Sequence, residues 1–129
     1  MMNNDVEAFS WKIVNGSYCI KKMDKSFYKY GETVIPVEMR EYFRIENNTY
    51  GDKLQIKIFY KGIIYDENIT FENNFNRSKL RLSKELHEQI LKDLEEKVSV
   101  DMDCNNILLI FGEDGFFGTY TLDIIVKVN

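Results

Sequence analysis

Two short segments concentrate the side chains that could bind a polyanion. The first, residues 21–29, has four lysines against the single acid Asp24 and a net charge of +3. The second, residues 77–84, has two arginines, two lysines and no acid, and a net charge of +4. The whole chain carries −4, so the remaining residues carry −11. Ammonium and guanidinium groups neutralise phosphates, and an arginine fork can bond guanine. The chemistry these segments offer is therefore nucleic-acid binding.

Uncharged side chains in the same regions fit that chemistry. Residues 21–35 and 72–82 mix their cations with serine, asparagine, threonine and aromatic residues. Asparagine can pair with adenine, and aromatic rings between cations can stack on unpaired bases. The plainer interpretation is two exposed loops with solvated lysines, and an overall pI near 5.1 favours it. Both interpretations stay open on composition alone.

Catalytic and metal chemistry finds little support in the sequence. The single histidine, His87, excludes a multi-histidine metal site, and we expect it to be a boundary residue beside an apolar helix stripe. The two cysteines, Cys19 and Cys104, form no CxxC pair. We therefore expect no catalytic residues, no bound metal and no cofactor, and a protein that is not an enzyme by itself.

Length and composition favour one domain over residues 1–129, because hydrophobic residues at 44% and aromatic residues at 14% suffice for one core. Two distant cysteines allow one disulfide, but two buried thiols are the commoner case inside cells. No export signal and no apolar stretch of membrane-spanning length is visible. We expect a cytoplasmic protein without a membrane partner.

The clearest predicted element is a hairpin. Apolar residues alternate with polar ones over 54–60, and Lys61-Gly62 makes a tight turn. The returning strand, 63–71, continues the alternation and is interrupted by Glu67. Further strands are predicted within 11–22, 33–35, 79–82, 106–111 and 120–128. We expect loops over 21–31 and 72–78.

Two helices are predicted. Ser83 is a plausible N-cap for a helix over 84–97, in which leucines and isoleucines recur at three- and four-residue spacing. Pro36 can open a short helix over 37–43. Together these elements predict a mixed, mainly antiparallel β fold with one short and one longer helix, in an open or pseudo-closed barrel.

The order of motifs resembles a known DNA-binding fold. The run from Ile20 to Phe27 is followed by Gly31, Ile35-Pro36, Arg40 and Phe43. Later come Tyr60-x-Gly62-x-x-Tyr65, Arg77-x-x-Leu80-Arg81-Leu82, Leu108–Phe111 and Tyr120-x-Leu122. This series is similar to the DNA-binding pseudobarrel of some restriction endonucleases, related in fold to the plant auxin-response transcription-factor domain. The resemblance covers most of residues 18–126.

The resemblance implies a seven-stranded open pseudobarrel that grips the major groove of double-stranded DNA with two arms. The early arm matches Lys21, Lys22, Lys25, Ser26 and Lys29. The later arm matches Asn73, Asn74, Asn76, Arg77, Ser78, Lys79 and Arg81. These arms coincide with the two segments that charge alone singled out. The implied function is recognition of a DNA sequence or modification in restriction or defence, with a separate nuclease or effector protein as partner.

Two other functions remain in competition. A protein-interaction or structural module would use the acidic body as its working surface, and a small enzyme would need a pocket of carboxylates with perturbed pKa values. Within the arms, Arg77 and Arg81 are better candidates for base contacts than the lysines, because a planar fork reads bases. Arg40 is expected to be structural.

Overall fold

The computed structural model describes residues 5–45, 51–72, 77–97, 106–115 and 118–127, which form nine strands and two α-helices. The early strands are β1 (Val6–Ala8), β2 (Trp11–Val14), β3 (Tyr18–Lys22) and β4 (Glu32–Ile35). The later strands are β5 (Lys53–Tyr60), β6 (Ile63–Glu72), β7 (Arg77–Arg81), β8 (Ile107–Glu113) and β9 (Thr119–Val126). Helix α1 spans Lys25–Tyr30, α2 spans Lys84–Lys97, and a 3-10 turn spans Val37–Met39.

All nine strands join one sheet in the order β1-β2-β3-β8-β9-β5-β6-β7-β4. Neighbouring strands are antiparallel except β5 and β9, which are parallel. The sheet curls into a half-barrel whose edge strands are β1 and β4. Near the open seam, the indole Nε1 of Trp11 on β2 donates a hydrogen bond to the Val34 carbonyl on β4 at 3.1 Å. The Trp11 side chain therefore bridges the open seam of the half-barrel by a hydrogen bond.

The mainly antiparallel fold with a short and a longer helix is confirmed, but the expected number of seven strands is wrong. The sequence predicts one strand within residues 11–22, but the chain turns at Asn15 and Gly16, which both have positive φ. An Asn-Gly pair is favoured in tight hairpin turns for this reason. The short strand β1 then adds to the outer edge of β2, with Ala8 opposite Trp11.

The hairpin of β5 and β6 and the bounds of α2 are confirmed. Lys61 and Gly62 have positive φ at the turn, as the sequence indicates. The backbone N–H of Leu86 donates to Ser83 Oγ at 3.3 Å, so Ser83 caps α2. Glu67 does not break the alternation of β6, because its side chain points inward and is fully buried.

The position of the short helix is wrong in the sequence-based prediction. Residues 37–43 form only the 3-10 turn at Val37–Met39 and irregular turns beyond it. The short α-helix, α1, lies instead within residues 21–31, for which the sequence predicts a loop. Asp24 caps its start by accepting a hydrogen bond from the Phe27 N–H at 2.8 Å, and Gly31 ends it with φ +68. These two caps decide the conformation despite the lysines between them.

Aromatic rings fill the barrel between the 3-10 segment and the sheet. The Phe43 ring lies 5.9 Å from Trp11, 5.8 Å from Phe111 and 5.2 Å from Tyr120, between ring centroids. The Tyr42 hydroxyl lies 3.0 Å from the Phe111 carbonyl. Burial raises the pKa of Tyr120 to about 12. The residues after Pro36 thus plug one part of the barrel and support Trp11 at the seam.

We expect Gly31→Ala to lower the free energy of unfolding by about 2 kcal/mol, measured by urea denaturation. Part of the cost is the left-handed backbone, which disfavours any residue with a Cβ. The rest is steric, because an added Cβ would lie 2.8 Å from Cγ of His87 on α2. The His87 ring is held there by Nε2, 2.9 Å from the Tyr28 carbonyl.

Gly62→Ala is the matched control, because Gly62 also has positive φ (+83) but has open space around an added Cβ. It should cost about 1 kcal/mol, the backbone part alone. In a His87→Ala background the penalty of Gly31→Ala should fall toward that of Gly62→Ala, because the 2.8 Å contact with Cγ is lost while Cβ of residue 87 stays 3.1 Å from the added Cβ. Equal penalties in the wild-type background would contradict the steric contribution of His87.

Candidate nucleic-acid interface

The early arm lies at the end of β3 and on α1. Lys22, Lys25, Ser26 and Lys29 are exposed there. Lys21 is not a surface residue, contrary to the sequence-based expectation, because it shares the inward register of Cys19 and is only 2% exposed. The structure therefore presents four of the five early-arm residues to solvent.

Buried Lys21 joins three segments of the chain. Its ammonium group donates to the Ser10 hydroxyl in the β1–β2 turn and to the Asp24 carboxylate at 3.0 Å. Burial alone would raise the pKa of Asp24, but hydrogen bonds from the Phe27 N–H and Lys21 hold that pKa below its ordinary value. Asp24 is therefore ionised at neutral pH and is paired with Lys21.

The later arm lies on β7 as far as the structure describes it. Arg77, Lys79 and Arg81 point outward from the sheet, in alternation with buried residues. Ser78 is buried, contrary to expectation, and its hydroxyl donates to the Ile35 carbonyl at 3.1 Å. Asn73, Asn74 and Asn76 lie outside the described residues.

Two later-arm cations are paired with carboxylates on neighbouring strands. Lys79 Nζ lies 3.4 Å from Glu32 and 3.8 Å from Glu72, and Arg81 also pairs with both acids. Slight burial would raise the pKa of Glu72, but the hydrogen bond from Arg81 and the charge of Lys79 lower it overall. An incoming phosphate must therefore compete with these carboxylates for Lys79 and Arg81.

Arg77 differs from the other two later-arm cations. In the described parts of the chain it has no carboxylate within ion-pair distance, although Glu72 is its cross-strand neighbour. Its guanidinium is exposed and borders a concave surface. Of the predicted base-reading residues, Arg77 is thus the one whose donors are most available to a ligand.

The two arms meet at one groove beside the seam of the half-barrel, which we call the seam groove. It has a volume of about 450 Å³. The early arm contributes Lys21 and Ser26 to its wall, and the later arm contributes Arg77 and Lys79. Antiparallel pairing of β4 with β7, with Val34 opposite Lys79, places the later arm beside the seam. Lys22, Lys25, Lys29 and Arg81 lie outside the lining.

The seam groove also contains residues that the sequence analysis did not single out. Phe9 and Ser10 form the β1–β2 turn, Trp11 begins β2, and Asp24 and Glu32 add two carboxylates. A short strand ahead of a two-residue turn gives little sequence signal, so Phe9 could not be found by pattern. The groove thus combines cations, acids and aromatic rings and can bind a ligand with both donors and acceptors.

Within the described residues, no group of three histidine, cysteine, aspartate or glutamate side chains is arranged to hold a metal ion. In the same residues, no helix is long and apolar enough to cross a membrane. Cys19 is buried, and burial raises the pKa of its thiol to about 12. It is therefore protonated at neutral pH and offers no thiolate nucleophile.

Comparison with known proteins shows a similarity of fold. No protein-family model matches the chain, and no curated protein matches it significantly. Among solved structures, the N-terminal domain of LlaJI.R1 from Helicobacter pylori is similar, with a TM-score of 0.57 and 16% sequence identity. The similarity covers 87% of this chain and 82% of that chain. At this identity it shows that the two chains share a fold.

Proposed function

We propose that this chain is a recognition module for double-stranded DNA that reads a base sequence or a base modification. It would act in the cytoplasm within a restriction or defence system and leave cleavage to a separate nuclease or effector. The supporting observation is the seam groove, where residues about fifty positions apart in sequence, from both arms, line one surface. The fold shared with a domain of LlaJI.R1, a restriction-related protein, agrees with this proposal.

We infer a pseudobarrel of the type found in restriction endonucleases and in the plant auxin-response domain, with two extra strands. In this proposal Arg77 reads a base or a phosphate directly. Lys22, Lys25 and Lys29 supply phosphate contacts from the exposed side of α1 and the end of β3.

We expect the Arg77→Ala/Arg81→Ala double variant to bind a labelled random-sequence duplex about tenfold more weakly than the wild type. Fluorescence anisotropy at low and moderate salt measures this affinity. The logarithm of the binding constant should also depend less steeply on salt in the variant, because each lost phosphate contact removes about one unit of slope.

A Lys57→Ala/Lys92→Ala variant is the matched control for net charge. Both lysines are exposed and neither lines the seam groove. An equal loss of affinity in both double variants would indicate attraction by overall charge and would contradict a specific role of the later arm. Absence of wild-type binding to duplex and single strand at low salt would overturn the proposal.

A protein-interaction module is the second candidate, and one observation favours it. The tip of the β5–β6 hairpin exposes Ile63 and Ile64, at 55% and 58%, beside the partly exposed Phe59. Exposed apolar clusters of this kind often mark protein contacts. Failure of a folded wild-type protein to bind any DNA would place this candidate first.

A further inference from the structure

Phe9 occupies a position that chain folding alone does not favour for a phenylalanine. It is the first residue of the two-residue turn between β1 and β2, with φ +59, and it is 93% exposed. Such a turn position prefers glycine or asparagine, because a side chain destabilises positive φ. The Phe9 side chain therefore destabilises the turn and buries almost no apolar surface in return. Strain retained at an exposed aromatic residue suggests a ligand for the ring.

The turn that carries Phe9 is fixed to the body of the protein. The Ser10 hydroxyl accepts a hydrogen bond from buried Lys21, and the Ser10 carbonyl accepts one from the Lys22 N–H at 3.0 Å. Lys21 is itself held by Asp24 at 3.0 Å. The Phe9 backbone is thus anchored although the ring is in solvent. An aromatic side chain on an anchored backbone loses less entropy on binding than one on a mobile loop and makes a good stacking platform.

The seam groove beside Phe9 suits a nucleobase better than a phosphate. Asp24 and Glu32 line it together with Arg77 and Lys79. Carboxylates repel a phosphate but accept hydrogen bonds from the exocyclic amino group of cytosine or adenine. Glu32 is held by Lys79 and Arg81 at 3.4 and 3.9 Å, which leaves its oxygens room to accept another donor. The arginine and lysine can donate to ring nitrogens and carbonyls of the base.

We propose that the seam groove receives one nucleobase extruded from a DNA duplex, which stacks on Phe9 while Glu32 accepts from its amino group. This proposal rests on the DNA-binding function proposed above. Stacking between aromatic and apolar side chains is how proteins hold an extruded base. Phe9 is then a base-contacting residue, and Lys21 is a positioning residue that acts through Ser10.

The test compares three labelled DNA probes of one surrounding sequence: a fully paired duplex, and duplexes in which a single cytosine or thymine faces an abasic site. Such an unpaired base costs less to extrude. Wild-type protein should bind the unpaired-cytosine probe about tenfold more tightly than the paired duplex. The probe with an unpaired thymine, which lacks an exocyclic amino group, should show a smaller gain in affinity over the paired duplex.

Phe9→Gly is the decisive variant, because glycine suits the positive φ and keeps the turn. It should lose the tenfold preference for unpaired cytosine and be at least as stable as wild type. Phe9→Trp should keep the preference, since it retains a ring. Glu32→Gln should reduce the advantage of cytosine over thymine while leaving stacking in place, because its amide can accept from the cytosine amino group or donate to a thymine carbonyl.

The outcomes separate this inference from the general function. Salt-sensitive binding of the paired duplex with no gain for unpaired cytosine would overturn base capture and leave the DNA-binding proposal standing. Retention of the full gain in Phe9→Gly would do the same. Absence of binding to all three probes at low salt would overturn both.

Discussion

Phe43→Ala should lower the free energy of unfolding by about 4 kcal/mol, as expected for a large aromatic side chain removed from a close-packed core. The Phe43 ring is 1% exposed and packs against the rings of Trp11, Tyr42, Phe111 and Tyr120. Rigid rings on three separate parts of the sheet cannot collapse far into the vacated space. The substitution should therefore leave most of its cavity open.

The location of Phe43 gives this loss a further consequence. Residues 37–45 contribute no strand and hold to the barrel through side chains, with the Tyr42 hydroxyl 3.1 Å from the Ser17 carbonyl. The Trp11 ring packs against the Phe43 ring, and its indole N–H donates a hydrogen bond to the Val34 carbonyl at the seam. A weakened cluster should thus loosen the seam before the whole sheet unfolds.

Urea denaturation followed by tryptophan fluorescence measures both effects, because Trp11 is the single tryptophan of the chain. Phe9→Ala is the control of the same chemical change at an exposed site and should alter stability by less than about 0.5 kcal/mol. If Phe43→Ala lowers the free energy of unfolding by less than about 1 kcal/mol, the aromatic cluster repacks and the expectation of an open cavity is contradicted.

Local sequence signals predicted the elements that depend on local interactions. The β5–β6 hairpin follows from period-two alternation around Lys61-Gly62, and α2 follows from the Ser83 cap and its apolar stripe. Helix α1 was missed although Asp24 and Gly31 carry ordinary capping signals. The four lysines of residues 21–29 indicate a solvated loop, whereas the caps at both ends favour a helix.

The properties of the seam groove depend on register and could not be read from the sequence. Lys21 belongs to a basic run, yet its inward register on β3 buries it. Glu32 and Glu72 are 40 positions apart in the chain, and only the pairing of β4 and β6 with β7 brings both to Lys79 and Arg81. The seam groove likewise joins elements that pair over long sequence distances. The net charge of each segment therefore points to the two arms. It does not show which of their cations pair with carboxylates.

Glu67→Ala should lower the free energy of unfolding by about 3 kcal/mol, because Glu67 joins β6 to the start of α2. Its carboxylate accepts hydrogen bonds from the Ser83 N–H and from the Ser83 hydroxyl, the latter at 2.7 Å. The same hydroxyl caps Leu86. Alanine would leave the N–H of half-buried Ser83 without its carboxylate partner and a cavity at the buried position 67. Chemical denaturation at pH 7 measures this loss.

Glu67→Gln separates the shape of this side chain from its charge. Glutamine can still accept from the Ser83 N–H, so it should retain most of the stability that alanine loses. Burial raises the pKa of Glu67, although hydrogen bonds from Ser83 act in the opposite direction. The charged form is therefore disfavoured in the folded protein despite its place at a helix N-terminus.

The raised pKa fixes the sign of the pH dependence. Folded protein holds the Glu67 proton to higher pH than the unfolded chain, so this residue's contribution to stability falls as pH rises from about 4.5 through the raised value. Glutamine has no such contribution. The stability of Glu67→Gln relative to wild type should therefore increase across that pH window and be constant above it. A relative stability that decreases with pH would mean that attraction to the α2 N-terminus outweighs the cost of burying the charge.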